Sequence, residues 1–184
     1  MKINKIILIA IALVIIIGIQ TYNSFISKTN NIEGAWAQLE TQYQRRYDLI
    51  PNLVNSTKGL MKQERTVFEA VNLTREKYAQ ALHLSDKIAT SQQMDIALGR
   101  LIAIVENYPQ LKSDQVVLGL MDELAGTENR VAVARLRYND CVKNYNTYLK
   151  QFPAKLIGMM FDFQSFPYFK IEEKASIPPI INLE

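Results

Sequence analysis

Covalent chemistry needs nucleophiles, bases or metal ligands, and this chain has few. Its 184 residues include one His and one Cys. His83 falls at the end of a helical pattern beside a loop, and Cys141 falls on the apolar stripe of another. A Ser or Cys nucleophile needs a base to take its proton and a third group to orient that base. A Cys141–His83 dyad would need a coincidence of tertiary folding. One Cys excludes an internal disulfide, a CxxC pair and a Cys-ligated zinc site within the chain. A carboxylate-bridged metal bundle takes Glu-x-x-His motifs from two helices, and no Glu-x-x-His occurs. Glycine-rich phosphate loops are absent. Asp122 and Glu123 are adjacent, so on a helix they diverge by about 100° and form no acid/base pair. These residue types predict no catalysis, no cofactor and no metal.

Three polar clusters remain. The first is Arg45-Arg46-Tyr47-Asp48, just before Leu49-Ile50-Pro51. The second is Glu106-Asn107-Tyr108-Pro109. The third runs from Asp122 to Asn139 and carries Glu123, Glu128, Asn129, Arg130 and Arg135. Arg46 sits on an apolar stripe, so it is either buried beside a carboxylate or marks where the stripe turns to solvent. Buried charges need partners, and the clusters hold both signs. Two readings stand: a buried network that fixes helix register, with Arg130 and Glu106 among its members, or a recognition site for a ligand or partner.

The elements that would position these groups are helices. Apolar and aromatic residues recur at spacings of 3 and 4 through four segments. One runs from Tyr22 and Phe25 through Trp36, Leu39 and Tyr43 to Ile50. A second runs from Leu53 and Thr57 through Leu60, Val67 and Val71 to Tyr78. A third is Met94, Leu98, Leu101, Val105 and Tyr108, and a fourth runs from Leu120 and Leu124 through Val131 and Tyr138 to Tyr148. The period near 3.5 is that of left-handed helix packing, and no period-2 strand pattern occurs. Pro51 opens the second helix or kinks a longer one. Ser85-Asp86 caps the third, Pro109 ends it, Ser113 caps the fourth, and Pro153 ends that. Short connections predict antiparallel neighbours, hence an all-α, elongated four-helix bundle over residues 23–152. An aromatic segment, 153–171, follows. Its five rings in nine residues (Phe161, Phe163, Phe166, Tyr168 and Phe169) pack on the bundle end or touch the membrane or a partner. Residues 172–184 read as a disordered tail.

Residues 6–19 are apolar without a break. Extended from Ile3 to Tyr22, the run reaches the roughly 20 residues a spanning helix needs. Lys5 snorkels at one end and Tyr22 lies at the other interface. A cleaved signal peptide is the competing reading, but no small-x-small site follows the run. Residues 1–5 form a short N-terminal segment and 6–22 the transmembrane helix. Lys2 and Lys5 before the run, against Lys28 after it, favour a cytoplasmic N-terminus. Without Lys2 and Lys5, 19 basic residues face 18 acidic ones. That near-balance leaves no basic face for nucleic acid.

The motifs in these segments resemble one family. They are Tyr22-Asn23-Ser24, Trp36, Arg45-Arg46-x-Asp48-Leu49-Ile50-Pro51-Asn52-Leu53-Val54 and Glu106-Asn107-Tyr108-Pro109-x-Leu111-Lys112. Next come Glu123-Leu124-x-Gly126-Thr127-Glu128-Asn129-Arg130, the pairs Tyr138-Asn139 and Tyr145-Asn146, Phe152-Pro153, and Phe166-x-Tyr168-Phe169. In that order they resemble the LemA family of bacterial membrane proteins, over about residues 1–170. The resemblance implies a single-pass protein of the bacterial cytoplasmic (inner) membrane, a four-helix soluble domain and no established enzymatic activity. The expected role is a non-enzymatic, membrane-anchored scaffold, its partners the lipid bilayer and either further copies of itself or other envelope proteins. The alternative is a ligand- or peptide-sensing bundle, accessory to a membrane complex or protease.

Overall fold

The computed structural model describes residues 2–57 and 65–170. Among them are six helices and no strand. The helices are α1 (Lys2–Thr57), α2 (Arg65–Gln80), α3 (Leu84–Asn107), α4 (Pro109–Lys112), α5 (Gln115–Lys150) and α6 (Ala154–Met160). The chain is all-α, as its periodicity requires.

At 56 residues, α1 is roughly 84 Å long. Its two parts differ in what surrounds them. From Ile6 to Ile17 every large apolar side chain is between 41% and 68% exposed, on all faces. Such a surface suits lipid and not water. From Thr21 onward one face is buried, through Phe25, Ile32, Leu39, Tyr43, Arg46 and Ile50.

Helix backbones pack closely in two pairs, α1 with α5 and α2 with α3. The first pair is antiparallel: Phe25 meets Tyr148, Trp36 meets Tyr138 and Arg46 meets Glu128. Positions rise along one helix as they fall along the other. In the second pair Thr74 of α2 donates to the Met94 sulfur of α3 at 3.4 Å. The pairs meet through the rings of Tyr43, Tyr47 and Tyr78 and through Lys87–Glu40 and Arg46–Asp95 ion pairs. Of the expected core, Leu39, Leu53, Val71, Leu101, Val105, Leu124 and Val131 are buried. Trp36, Val67 and Leu120 lie half-buried at its margin.

Three boundaries differ from the pattern. Pro51 does not open a new helix; α1 continues through it to Thr57. A proline inside a helix sacrifices one hydrogen bond. Here Leu53, Val54 and Thr57 are buried beyond it, which offsets the loss. Leu53 and Thr57 therefore belong to α1, and α2 carries only Val67, Val71, Thr74 and Tyr78 of the second stripe. Leu60 lies outside the described residues, as does the tail 172–184. The cap of α5 is Asp114, not Ser113. Asp114 has extended backbone, and its Oδ1 accepts from the Val116 and Val117 amides at 2.8 and 3.2 Å. Ser113 is helical in φ and ψ, which turns its hydroxyl back to Gln110 O instead. Helix α3 starts at Leu84 with His83 as an extended cap residue. Asp86 thus lies in its first turn, where a carboxylate suits the helix dipole.

After α5 the chain turns at Phe152-Pro153 into α6. It leaves α6 through Asp162, whose φ is 53°. The Phe163 amide donates to Gly158 O at 2.9 Å, the six-to-one bond of a Schellman ending. Asp tolerates this left-handed position better than most residues. The turn sends residues 163–170 back as an extended strap along the α1–α5 seam. Within the aromatic segment, residues 163–170 thus lie along the helices, while α6 and Phe161 pack beside Tyr22 where α5 ends.

Candidate functional site: a charged junction and a strapped seam

The charged junction centres on Asp95 of α3. Arg46 of α1 donates from Nη1 to Asp95 Oδ1 at 2.9 Å. Arg135 of α5 donates to the other carboxylate oxygen and to the Tyr43 hydroxyl, which its Nε also reaches at 2.9 Å. Arg46 Nη2 pairs with Glu128 Oε2 at 2.5 Å. The Arg135 guanidinium lies 4.6 Å from the centroid of the Phe169 ring, so the strap covers it. One carboxylate thus ties three helices and the strap together.

Helical spacing sets this arrangement. Tyr43, Arg46 and Ile50 share one face of α1, so Arg46 enters the core with its apolar neighbours. Its side chain is 5% exposed, and its buried Nε has no partner. Burial pushes the Asp95 carboxyl above its ordinary value, opposed by the guanidiniums of Arg135 and Arg46. Burial also raises the Tyr43, Tyr47 and Tyr78 hydroxyls well above 10.0, and pushes Tyr138 up to about 12. The tyrosines are neutral at neutral pH, and the junction is a set of ion pairs joining α1, α3 and α5.

The polar clusters of the sequence divide between two faces. Arg46, Glu128 and Arg135 join the junction. Arg45, Asp48, Glu123 and Arg130 line an open groove of about 630 Å³ between α1 and α5. Asn129 and Arg130 border a second groove of about 480 Å³ on the same helices. Gly126 lines the first groove beside the Arg130 guanidinium. Asp48, the carboxylate nearest Arg46 in sequence, accepts instead from Gln44 at 2.8 Å on the exposed side. Glu106 and Asn107 are exposed at the end of α3, and among the described residues no hydrogen bond or ion pair joins them to the other clusters. Arg130 is exposed as well, so of the two readings of these clusters the buried network does not include Arg130 or Glu106. Asp95 belongs to none of the three polar clusters of the sequence. Its only signal was its position beside Met94 on the buried stripe of α3.

The strapped seam uses the two Tyr-Asn pairs. Asn146 Nδ2 donates to Phe166 O and its Oδ1 accepts from the Phe166 amide, at 2.9 and 3.0 Å. Asn139 does the same with Phe169, at 2.9 and 2.8 Å. Tyr138 donates to Pro167 O at 2.8 Å, and the Tyr145 ring meets Phe166 edge-on at 5.0 Å. The spacing fits: seven helical residues advance about 10.5 Å, and three extended residues span about 10 Å. A seven-residue repeat on a helix thus matches a three-residue step on an extended chain.

Among the described residues, no three His, Cys, Asp or Glu side chains converge as a metal site. In comparison with known proteins, a model of the LemA family matches residues 35–182. The chain is 27% identical over 186 residues to magnetosome protein MamQ of Magnetospirillum gryphiswaldense, covering 87% of this chain and 68% of that protein. It is 26% identical, with the same coverage, to MamQ 1 of Paramagnetospirillum magneticum. To protein LemA of Metamycoplasma hominis it is 20% identical over 152 residues, covering 82% and 69%.

Proposed function

Because the chain belongs to the LemA family, we propose that it is a non-enzymatic helical scaffold, anchored in the cytoplasmic (inner) membrane of a bacterium and holding an envelope complex together. The observation that carries this reading is the continuity of α1. One helix of 56 residues is apolar and exposed on all sides at its start and forms the spine of the packed helices at its end. Such a spine holds a protein surface at a fixed height and orientation above a bilayer. The basic residues before the apolar run favour a cytoplasmic N-terminus, with the packed helices on the far side. The open α1–α5 grooves, with Arg45, Arg130, Asp48 and Glu123, offer charges of both signs to a protein partner. Nucleic acid, which needs a basic face, is no partner. The partners of this reading are the bilayer and either further copies of the chain or other envelope proteins.

A second reading draws on the same grooves: a ligand- or peptide-sensing bundle, accessory to a membrane complex or protease. Crosslinking in native membranes, followed by purification of the full chain, separates the two. A defined oligomer or a stoichiometric envelope partner, lost on reversing the charges of Arg45 and Arg130, is the expected result. A full-length protein that stays monomeric and uncrosslinked sinks the scaffold.

A further inference from the structure

We propose that α6 is a second membrane element, its outer face seated among the lipids of the leaflet from which α1 emerges. The inference rests on the reading that residues 6–22 of α1 span the membrane. Helix α6 is two-faced. Ala154 and Gly158, one turn apart, are buried. At Gly158 a Cβ would come within 2.7 Å of Leu149 Cδ1 and 3.6 Å of Phe25 Cζ, so the small residues let α6 lie flat on α1 and α5. The outer face is Leu156, Met159 and Met160, followed by Phe161. They are 58%, 75%, 69% and 52% exposed. Four large apolar side chains in six residues form the kind of patch that marks a protein or membrane contact.

Position identifies the occupant as lipid. Ile157, Met160 and Phe161 face Ile15, Ile19 and Tyr22 of α1 across a wholly apolar notch of about 350 Å³. The Phe161 and Tyr22 rings meet at 5.0 Å. Tyr22 ends the apolar run, at the level where aromatic side chains meet headgroups. Ile15 lies seven residues earlier, roughly 10 Å deeper along the helix. That is the depth, about 5–10 Å, at which interfacial helices bury their apolar faces. The outer face of α6 is thus continuous with the lipid-facing surface of α1. Its backbone is prepared for such a setting: the Lys155, Leu156, Phe161 and Phe163 amides all have backbone acceptors, as a site short of water requires. The exposed Lys155 can snorkel to the headgroups from the first turn. Past Phe161, Asp162 turns the chain back to water and into the strap.

The test uses the full chain, with Cys141 replaced by Ser and one spin-labelled cysteine at a time, in phosphatidylcholine vesicles. The labels replace Met159, Ile16 or Leu82, the last 90% exposed in the α2–α3 connection. Collision with oxygen, which concentrates in lipid, is compared with collision with a water-soluble nickel chelate. The expected result is that positions 159 and 16 favour oxygen while position 82 favours nickel. If 159 favours nickel while 16 favours oxygen, α6 lies in water and the proposal falls, with the spanning helix intact. If 16 also favours nickel, the spanning reading itself fails. A label at 159 shielded from both reagents, and broadened as protein density rises, assigns the face to a second copy and overturns the proposal.

Discussion

Asp95 shows how a single carboxylate can organise residues that are far apart in sequence. Arg46 and Arg135 both direct charge-assisted hydrogen bonds at it, and such bonds are stronger than neutral ones. Replacing Asp95 by Ala leaves two cationic groups in a poorly solvated place. The expected cost is about 3–5 kcal/mol, as for other broken buried pairs, read as a fall in denaturant midpoint. Arg130→Ala removes an exposed cation and should change stability by about 0.5 kcal/mol or less. A large loss at Arg130 would contradict its placement on the groove. The tyrosines predict a pH effect of definite sign. Their folded values lie above the ordinary 10.0 because burial disfavours the phenolate. A raised value means that the stability they hold is full below pH 10.0 and is lost as pH rises toward the folded values. Melting temperature should therefore hold steady up to about pH 10 and fall as pH rises beyond it. Tyr47→Phe should flatten that decline; an unchanged slope would place the effect elsewhere.

Among the elements, the strap is the least regular and the most specifically held. Its backbone has no strand partner, and amide side chains stand in for one. Asn146→Ala removes both bonds to Phe166, leaving a donor and an acceptor to find water. The expected loss is about 1–3 kcal/mol. The more direct measurement is hydrogen exchange, in which the Phe166 amide should exchange faster while α5 amides two turns away keep their protection. Equal acceleration along α5 would mean that Asn146 supports the helix and not the strap. Helix α1 carries the opposite lesson. Pro51 is a strong local stop signal, yet the helix passes it, because three buried residues beyond it gain more than one hydrogen bond is worth.

For the whole molecule, the question is where the membrane part ends and the packed part begins. Phe25 answers it. Fully buried, it contacts Tyr145, Tyr148 and Phe163, with ring centroids 4.5–5.8 Å away. Tyr22 adds contacts to Phe161 and Phe163. A fragment of residues 22–184 should therefore fold as a helical protein with a cooperative melt by circular dichroism. A fragment of 27–184, lacking Phe25, should lose exchange protection in the strap even if its helices form. If both behave alike, Phe25 is not the hinge of the seam. A reporter fused to the C-terminus should be active only outside the cytoplasm, and cytoplasmic activity there would reverse the orientation.

The helical fold, the apolar anchor and the family motifs were all legible in the residues, and Arg46 stood out on its stripe, though only the structure decided between burial and solvent for it. Each depends on local periodicity or on an unbroken run, which the order of residues specifies directly. The four stripes likewise named most of the buried side chains. What the stripes do not carry is the pairing between distant faces. Asp48 is two residues from Arg46, but in a helix that offset points it to another face, and the partner came from α3, 49 positions away. Arg130 lies in the same run as Glu128 and Arg135, yet its angle on α5 sends it to the open groove while theirs reach the junction. The Tyr-Asn pairs stood out as a motif, but only packing brought an extended backbone at a matching step against them. Sequence thus determined which faces are apolar and which groups are charged. Tertiary structure decided which charges meet, because that depends on the rotation and register of whole helices, set by the sum of their contacts and by no local signal.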